Sequence, residues 1–483
     1  MASLVSDITQ LGAVELAQAI RDGHCTAVEA VRAHLDRIHA LDHAGPRLNA
    51  VLETNPDALA SAAGLDARLA RTGPLGPLHG VPVLIKANID TAEPMATSAG
   101  SRALANHRAQ RDAPVIRRLR AAGAVLIGTT NLSEWANFRS ARSIDGWSSL
   151  GGQTRNPYRL DHSPSGSSSG SAVAVAVRLA PLAVGTETDG SIISPASVNG
   201  VVGIKPTSGV VDAHGIIPIA ASLDSAGPLA RTVRDAGALL AAMARPTALL
   251  VSDPPLGNGS QPMRHVRIGV LRGFGDADWP EELETAVAAL RELGADVVDP
   301  VTIAVDDGWR DAERQLLLHE FNVGLNRYLR QHQTDIANLA ELIAYNESHA
   351  AEAMPAFGQD LFEAAATGSL ERRAYAAARE SSIGAMRRAL ADVFAAHALR
   401  LLLVPAGGPA HKIEHVEAPT VSSSSIAALS GYPSLALPWT LIDGLPVAVA
   451  LVGKPFTEVD LLATAAACET ARGPFPPPTR GPL

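Results

Sequence analysis

Apolar positions along this chain fall into two kinds of run. Short aliphatic and β-branched blocks predict strands: Val81–Ile85, Val125–Ile127, Leu182–Val184, Gly200–Ile204, Val266–Val270, Asp296–Val298, Leu401–Val404, Ser434–Leu437 and Val447–Leu451. Between most of them, apolar residues recur at helical spacing, notably over Ala113–Ala122, Glu281–Leu293 and Ala463–Ala471. Residues 7–41 set Arg, Asp and Glu among Ala, Leu and Val, and predict two amphipathic helices. Strands alternating with helices predict an α/β fold. We expect one large domain over residues 1–483, with a mixed, twisted central sheet covered by helices on both faces. Residues 306–400 break the alternation and read as a helical excursion lying over the sheet, and 473–483, with five prolines, as a Pro-rich C-terminal tail.

Composition narrows the function classes. Apolar residues make up 47% of the 483 and charged residues 18%, which suits a globular protein with a large core. The formal net charge of -9 speaks against nucleic acid or an anionic membrane as the main partner. No uninterrupted apolar run approaches the ~20 residues of a membrane span. The first residues show neither a basic region nor a solid hydrophobic stretch, so the chain as given is expected in the cytoplasm, or exported with its leader absent. Only Cys25 and Cys468 occur, which argues against a disulfide framework or a Cys-based metal site. Monomer and homodimer both stay open.

Candidate chemistry centres on SPSGSSSGSAVAVAV, residues 163–177. A flexible linker is a poor reading, because the Ser/Gly block runs at once into core-like Ala172–Val177. Gly166-Ser167-Ser168-Ser169-Gly170 also fits the G-x-S-x-G nucleophile elbow, which would make Ser168 the attacking residue, but the elbow needs a preceding strand and residues 151–165 show none. His411, Glu414 and His415 match H-x-x-E-H, a zinc-protease pattern that requires a helix. Prolines on both sides favour a surface loop there. Two other features carry more weight. Gly185-Thr-Glu-Thr-Asp-Gly-Ser191 starts where a strand ends, and such a turn can present consecutive N–H groups as an oxyanion hole beside Ser191. Lys86 ends an apolar strand, where desolvation would lower its pKa and allow a neutral amine base.

Taken in order, GVPVLIK, GSSSGSAVAVAV and GTETDGSIISPASVNGVVGIKPT are far more specific than any one alone, with 81 residues from Lys86 to Ser167 and 24 from Ser167 to Ser191. This arrangement resembles the amidase signature family. The likeness extends through Thr130–Ser140, Gly152–Pro157, Gly431–Pro438 and Gly444–Gly453, and so over most of residues 7–472. NLSEWANFRS, GSSSGSAVAVA and GTETDGSI look most like the peptide amidase branch. Where the commoner pattern has Asp and Gly in the second loop, this chain has Glu187 and Asp189.

The resemblance implies Ser191 as nucleophile, Ser167 as a bridging serine in a cis peptide bond, and Lys86 as base. It further implies backbone donors at Thr188, Asp189, Gly190 and Ser191, and an acyl-side substrate wall at Ala136, Asn137 and Phe138. No metal or organic cofactor enters that scheme. The implied partner is a small-molecule or peptide amide, deamidated through an acyl-enzyme with release of ammonia. A general aliphatic or aryl amidase, a glutaminase subunit of a tRNA-dependent amidotransferase, and a catalytically silent binding protein are the alternatives.

Overall fold

All nine predicted strands are present in the structure, a computed structural model whose described residues are 7–246, 262–274, 279–413 and 423–478. They join two further strands in one 11-stranded mixed sheet. Across it the strands run 51–54, 125–130, 82–86, 182–187, 225–230, 202–205, 434–442, 445–453, 401–407, 267–271 and 296–301. Pro82–Lys86 is parallel to both its neighbours, Val125–Thr130 and Leu182–Glu187, so three carboxyl-terminal strand ends lie side by side.

Alternation along these strands divides the core. Val83, Ile85, Leu182, Val184, Leu401 and Leu403 belong to one apolar cluster, whereas Leu84, Ala183, Leu402 and Val404 belong to another. Successive side chains of a strand point to opposite faces, so the sheet is buried on both. That is why its strands read as continuous apolar runs.

Trp147–Ser148 and Gly152–Gln153 pair as a separate two-stranded sheet; the two strands of the main sheet that no apolar run announced are Val51–Thr54 and Ser225–Ala230. The second contains Gly227 and Pro228, both poor strand formers. Pro228 stands opposite Val184, but only Leu229 and Ala230 pair with the strand on the other side, so pairing there stops short of the residue without an N–H.

The two opening helices are Ala13–Arg21 and Ala27–Ile38, the latter started by Thr26, whose hydroxyl caps the Glu29 N–H while the Glu29 carboxylate returns to the Thr26 N–H. Helices fill the excursion, from Trp309–His332 to Ala385–Ala396. Most of this segment does not rest on a sheet face. Leu316, Phe321, Leu325, Phe362 and Ile383 pack with Trp135, Phe138, Ile217 and Leu223, none of which lies on a strand. Only the last helix sends Leu390 and Phe394 into a sheet-face cluster. Cys25 and Cys468 are buried and unbridged. Among the described residues no helix is long and apolar enough to cross a membrane.

Candidate active site

Lys86 is the last residue of a strand buried at every position. Strand alternation puts its side chain on the face of Leu84, under helix Ser169–Ala176, whose Ala172 and Val173 belong to the same cluster. Four oxygens surround Nζ: Ser167 Oγ at 2.7 Å, Thr186 Oγ1 at 2.9 Å, Ser168 Oγ at 3.0 Å and the Thr186 carbonyl at 3.2 Å. Burial lowers the Lys86 pKa to about 7, against the opposing pull of Glu187 and Asp224. The neutral amine keeps a lone pair that can accept the Ser167 proton, and an ammonium has none.

The serines of the 163–171 block are all buried, which disposes of the linker reading. Each has its own task. Ser169 Oγ donates to the Ser165 carbonyl at 2.6 Å, and Ser171 Oγ donates to the Val184 carbonyl at 3.1 Å. Ser168 Oγ donates to the Thr186 carbonyl at 3.0 Å and accepts the Thr186 N–H at 3.2 Å, bracing the strand end beside Lys86. It is fully buried, and residues 154–168 contain no strand, so the elbow geometry is absent. Ser167 follows a cis peptide bond from Gly166. Only glycine fits at 166: an added Cβ would overlap Ser133 Oγ and approach Asp145 Oδ1 to 2.7 Å.

The second loop is pinned by three side chains. Glu187 accepts the N–H groups of Ile192 (2.7 Å) and Ile193 (3.0 Å), which begin helix Ile193–Val198. Thr188 donates its hydroxyl to Asp224 at 2.6 Å, and Asp189 accepts from Ser424 (2.9 Å) and Ser425 (2.5 Å). Burial raises the pKa of both Glu187 and Asp189. Between them Gly190 takes a φ of 78°, the left-handed turn that brings the chain round to Ser191. The Ser191 carbonyl accepts the Ser168 N–H at 3.1 Å, so a backbone bond joins the two serine segments. Ser191 retains 8% exposure where Ser167 and Ser168 have none.

A cavity of about 480 Å³ adjoins this loop, lined by Phe138, Asp189, Gly190, Glu313, Leu317 and Ser424. Of the three residues expected along the substrate wall, Phe138 therefore lies in the cavity. Asn137 instead donates to Asp145 at 3.0 Å, and Ala136 packs against the helical-segment cluster. Glu313, which no motif marked, has its pKa pushed up to about 8 by burial and then by the Asp189 carboxylate, with Arg310 opposing. The helical segment thus supplies one side of the cleft. At 411–413 the chain is not helical, and Lys412 bridges to His162, while Glu414 and His415 lie outside the described residues.

The sequence model of the Amidase family matches residues 29–462. The X-ray structure of native peptide amidase from Stenotrophomonas maltophilia is 45% identical, superposes with a TM-score of 0.88 and covers 99% of each chain. A probable amidase of Arabidopsis thaliana is 37% identical over 94% of this chain and 88% of its own length. A glutamyl-tRNA(Gln) amidotransferase subunit from Salinispora arenicola is 33% identical over 98% of this chain and 100% of its own. A match over this much of the length, with a sheet, a buried lysine and two serine loops in their expected order, makes the chain a member of the amidase signature family of amide hydrolases.

Proposed function

We propose that this chain removes ammonia from C-terminally amidated peptides through an acyl-enzyme formed on Ser191. The observation that carries the reading is the 2.7 Å hydrogen bond between Lys86 and Ser167 inside a fully buried cluster whose neighbouring loop ends at Ser191. Ser191 Oγ attacks the carboxamide carbon and its proton passes to Ser167, which gives its own to neutral Lys86. The N–H groups of Thr188, Asp189, Gly190 and Ser191 receive the oxyanion. Collapse of the tetrahedral intermediate breaks the C–N bond as the relay returns a proton to the leaving nitrogen, which departs as ammonia. Water then attacks the acyl ester, deprotonated by the same relay, and the peptide acid leaves. Phe138 and Leu317 offer apolar wall area for a side chain, and the likeness to peptide amidase supports a peptide rather than a small aliphatic amide.

The test offers the purified chain a dipeptide amide, the same dipeptide with a free C-terminus, and glutamine. Ammonia from the amide alone is the expected result. Release from glutamine and not from the peptide amide would instead assign a glutaminase, and cleavage of an internal peptide bond would remove the specificity claim.

A further inference from the structure

Away from the serine–lysine cluster, Asp90, His107 and His332 converge from distant parts of the chain: the turn after strand Pro82–Lys86, the loop after Arg102–Leu104, and the last turn of helix Trp309–His332. One ligand atom from each lies within 4.8 Å of the other two. His332 Nε2 is 3.4 Å from Asp90 Oδ2. Two ligands bound about 2.1 Å from a tetrahedral zinc ion are spaced about 3.4 Å apart. Asp90 Oδ2 is buried and makes no hydrogen bond among the described residues. Its polar neighbours are His332 Nε2 and the Thr97 hydroxyl.

The surroundings are those of a ligand set held in place. Asp90 Oδ1 accepts from the Tyr328 hydroxyl at 2.6 Å, and that hydroxyl is 3.2 Å from His107 Nε2. The Asp90 backbone is fixed on both sides, its N–H donating to Gly215 at 2.8 Å and its carbonyl accepting from Ala113 at 3.0 Å. The His107 and His332 rings meet edge to face with centroids 5.6 Å apart. The His107 backbone is fixed as well, its N–H donating to the Leu104 carbonyl and its carbonyl accepting from Thr97, both at 3.0 Å, so closing the widest separation to zinc spacing, a change of at most ~1.4 Å, falls to the side-chain torsions. A cavity of about 640 Å³, lined by Asp90, Ala113, His214, Gly215 and His332, adjoins the group and provides an entry path and room for a solvent ligand. Arg111 and Arg117 share the cavity wall, and Arg117 donates to the Asp112 carbonyl at 2.6 Å.

We propose that Asp90, His107 and His332 bind a Zn²⁺ ion that ties the end of helix Trp309–His332 to the turn beyond Lys86. Two imidazoles and a carboxylate are donors that zinc accepts, and the Tyr328 hydroxyl stands behind two of them as an orienting partner. The ion takes no part in the proposed hydrolysis. Its effect is to hold the helical segment, which forms one wall of the cleft, to the segment that carries the base.

The full chain, stripped with a chelator and dialysed, is titrated with Zn²⁺ by calorimetry and with Co²⁺ by visible absorption. One ion per chain is expected, with Co²⁺ bands of a four-coordinate nitrogen–oxygen site and a melting temperature that rises with added Zn²⁺. His332→Ala, at a residue whose side chain is 24% exposed, should weaken binding at least about tenfold, as should His107→Ala. His214→Ala, on the cavity wall outside the ligand set, should bind as the parent does. No uptake at micromolar Zn²⁺, or uptake unchanged in both His332→Ala and His107→Ala, would overturn the proposal.

Discussion

Lys86 must be neutral when the Ser167 proton arrives, and in the proposed mechanism burial brings this about near neutral pH. Its folded-state pKa, about 7, lies below the ordinary lysine value. The amine therefore holds its proton below that pH and loses it above. kcat/KM for a peptide amide should rise about tenfold per pH unit on the acid side and level off above about 7. A profile flat from pH 5 to 8 would show that no such base titrates. The serines separate by role in the same assay. Ser167→Ala breaks the relay and should cost about a hundred- to ten-thousandfold in kcat/KM. Ser168→Ala removes only a brace on Lys86 and Thr186, and should cost about tenfold, chiefly in kcat. Equal losses in the two variants would refute that division of labour.

At the scale of elements, the site depends on how closely two loops approach a strand end. Gly166 is one tight point, with Ser133, Asn137 and Asp145 all around the position a Cβ would take. Gly166→Ala should destabilise the fold by about 1–3 kcal/mol through overpacking, read as a lower urea midpoint at unchanged slope. It should also displace Ser167, so activity should fall further than stability at assay temperature explains. The Ser/Gly richness of this block serves close packing and local hydrogen bonding, since small side chains let loop, helix and strand lie within reach of one buried amine.

Over the whole molecule, Arg139, one half of a buried ion pair, helps hold the helical segment to the site. Arg139 bonds Glu134 at 2.7 Å and the carbonyls of Ala353 (2.6 Å) and Phe357 (3.1 Å), and its guanidinium lies 4.1 Å from the centre of the Phe357 ring. Both charges are fully buried. Arg139→Met leaves Glu134 without its counter-charge in that interior, held only by the Ser149 N–H, and should cost about 3–5 kcal/mol. Adding Glu134→Gln should restore part of the loss, because the penalty comes mostly from the stranded carboxylate. Denaturant melts of the two variants check this; a double variant no more stable than the single one would count against it.

The chain's own order of residues determined a good deal. Nine strands were legible because a sheet buried on both faces demands unbroken apolar runs. A lysine at the end of one such run announces its own desolvation, and Ser/Gly loops at set distances from it mark where acyl chemistry is expected. What stayed hidden depends on contacts between distant parts of the chain. Ser225–Ala230 carries a glycine and a proline against its local preference and is a strand because Leu182–Glu187 pairs along its length. Arg139 and Glu134 are visible five residues apart in one motif, but no local pattern says that they are paired, or that Arg139 reaches the helical segment. Glu313 faces Asp189, and His332 faces Asp90, only once helix Trp309–His332 has docked. Periodicity records what each segment buries, whereas the partner it is buried against is set by packing alone.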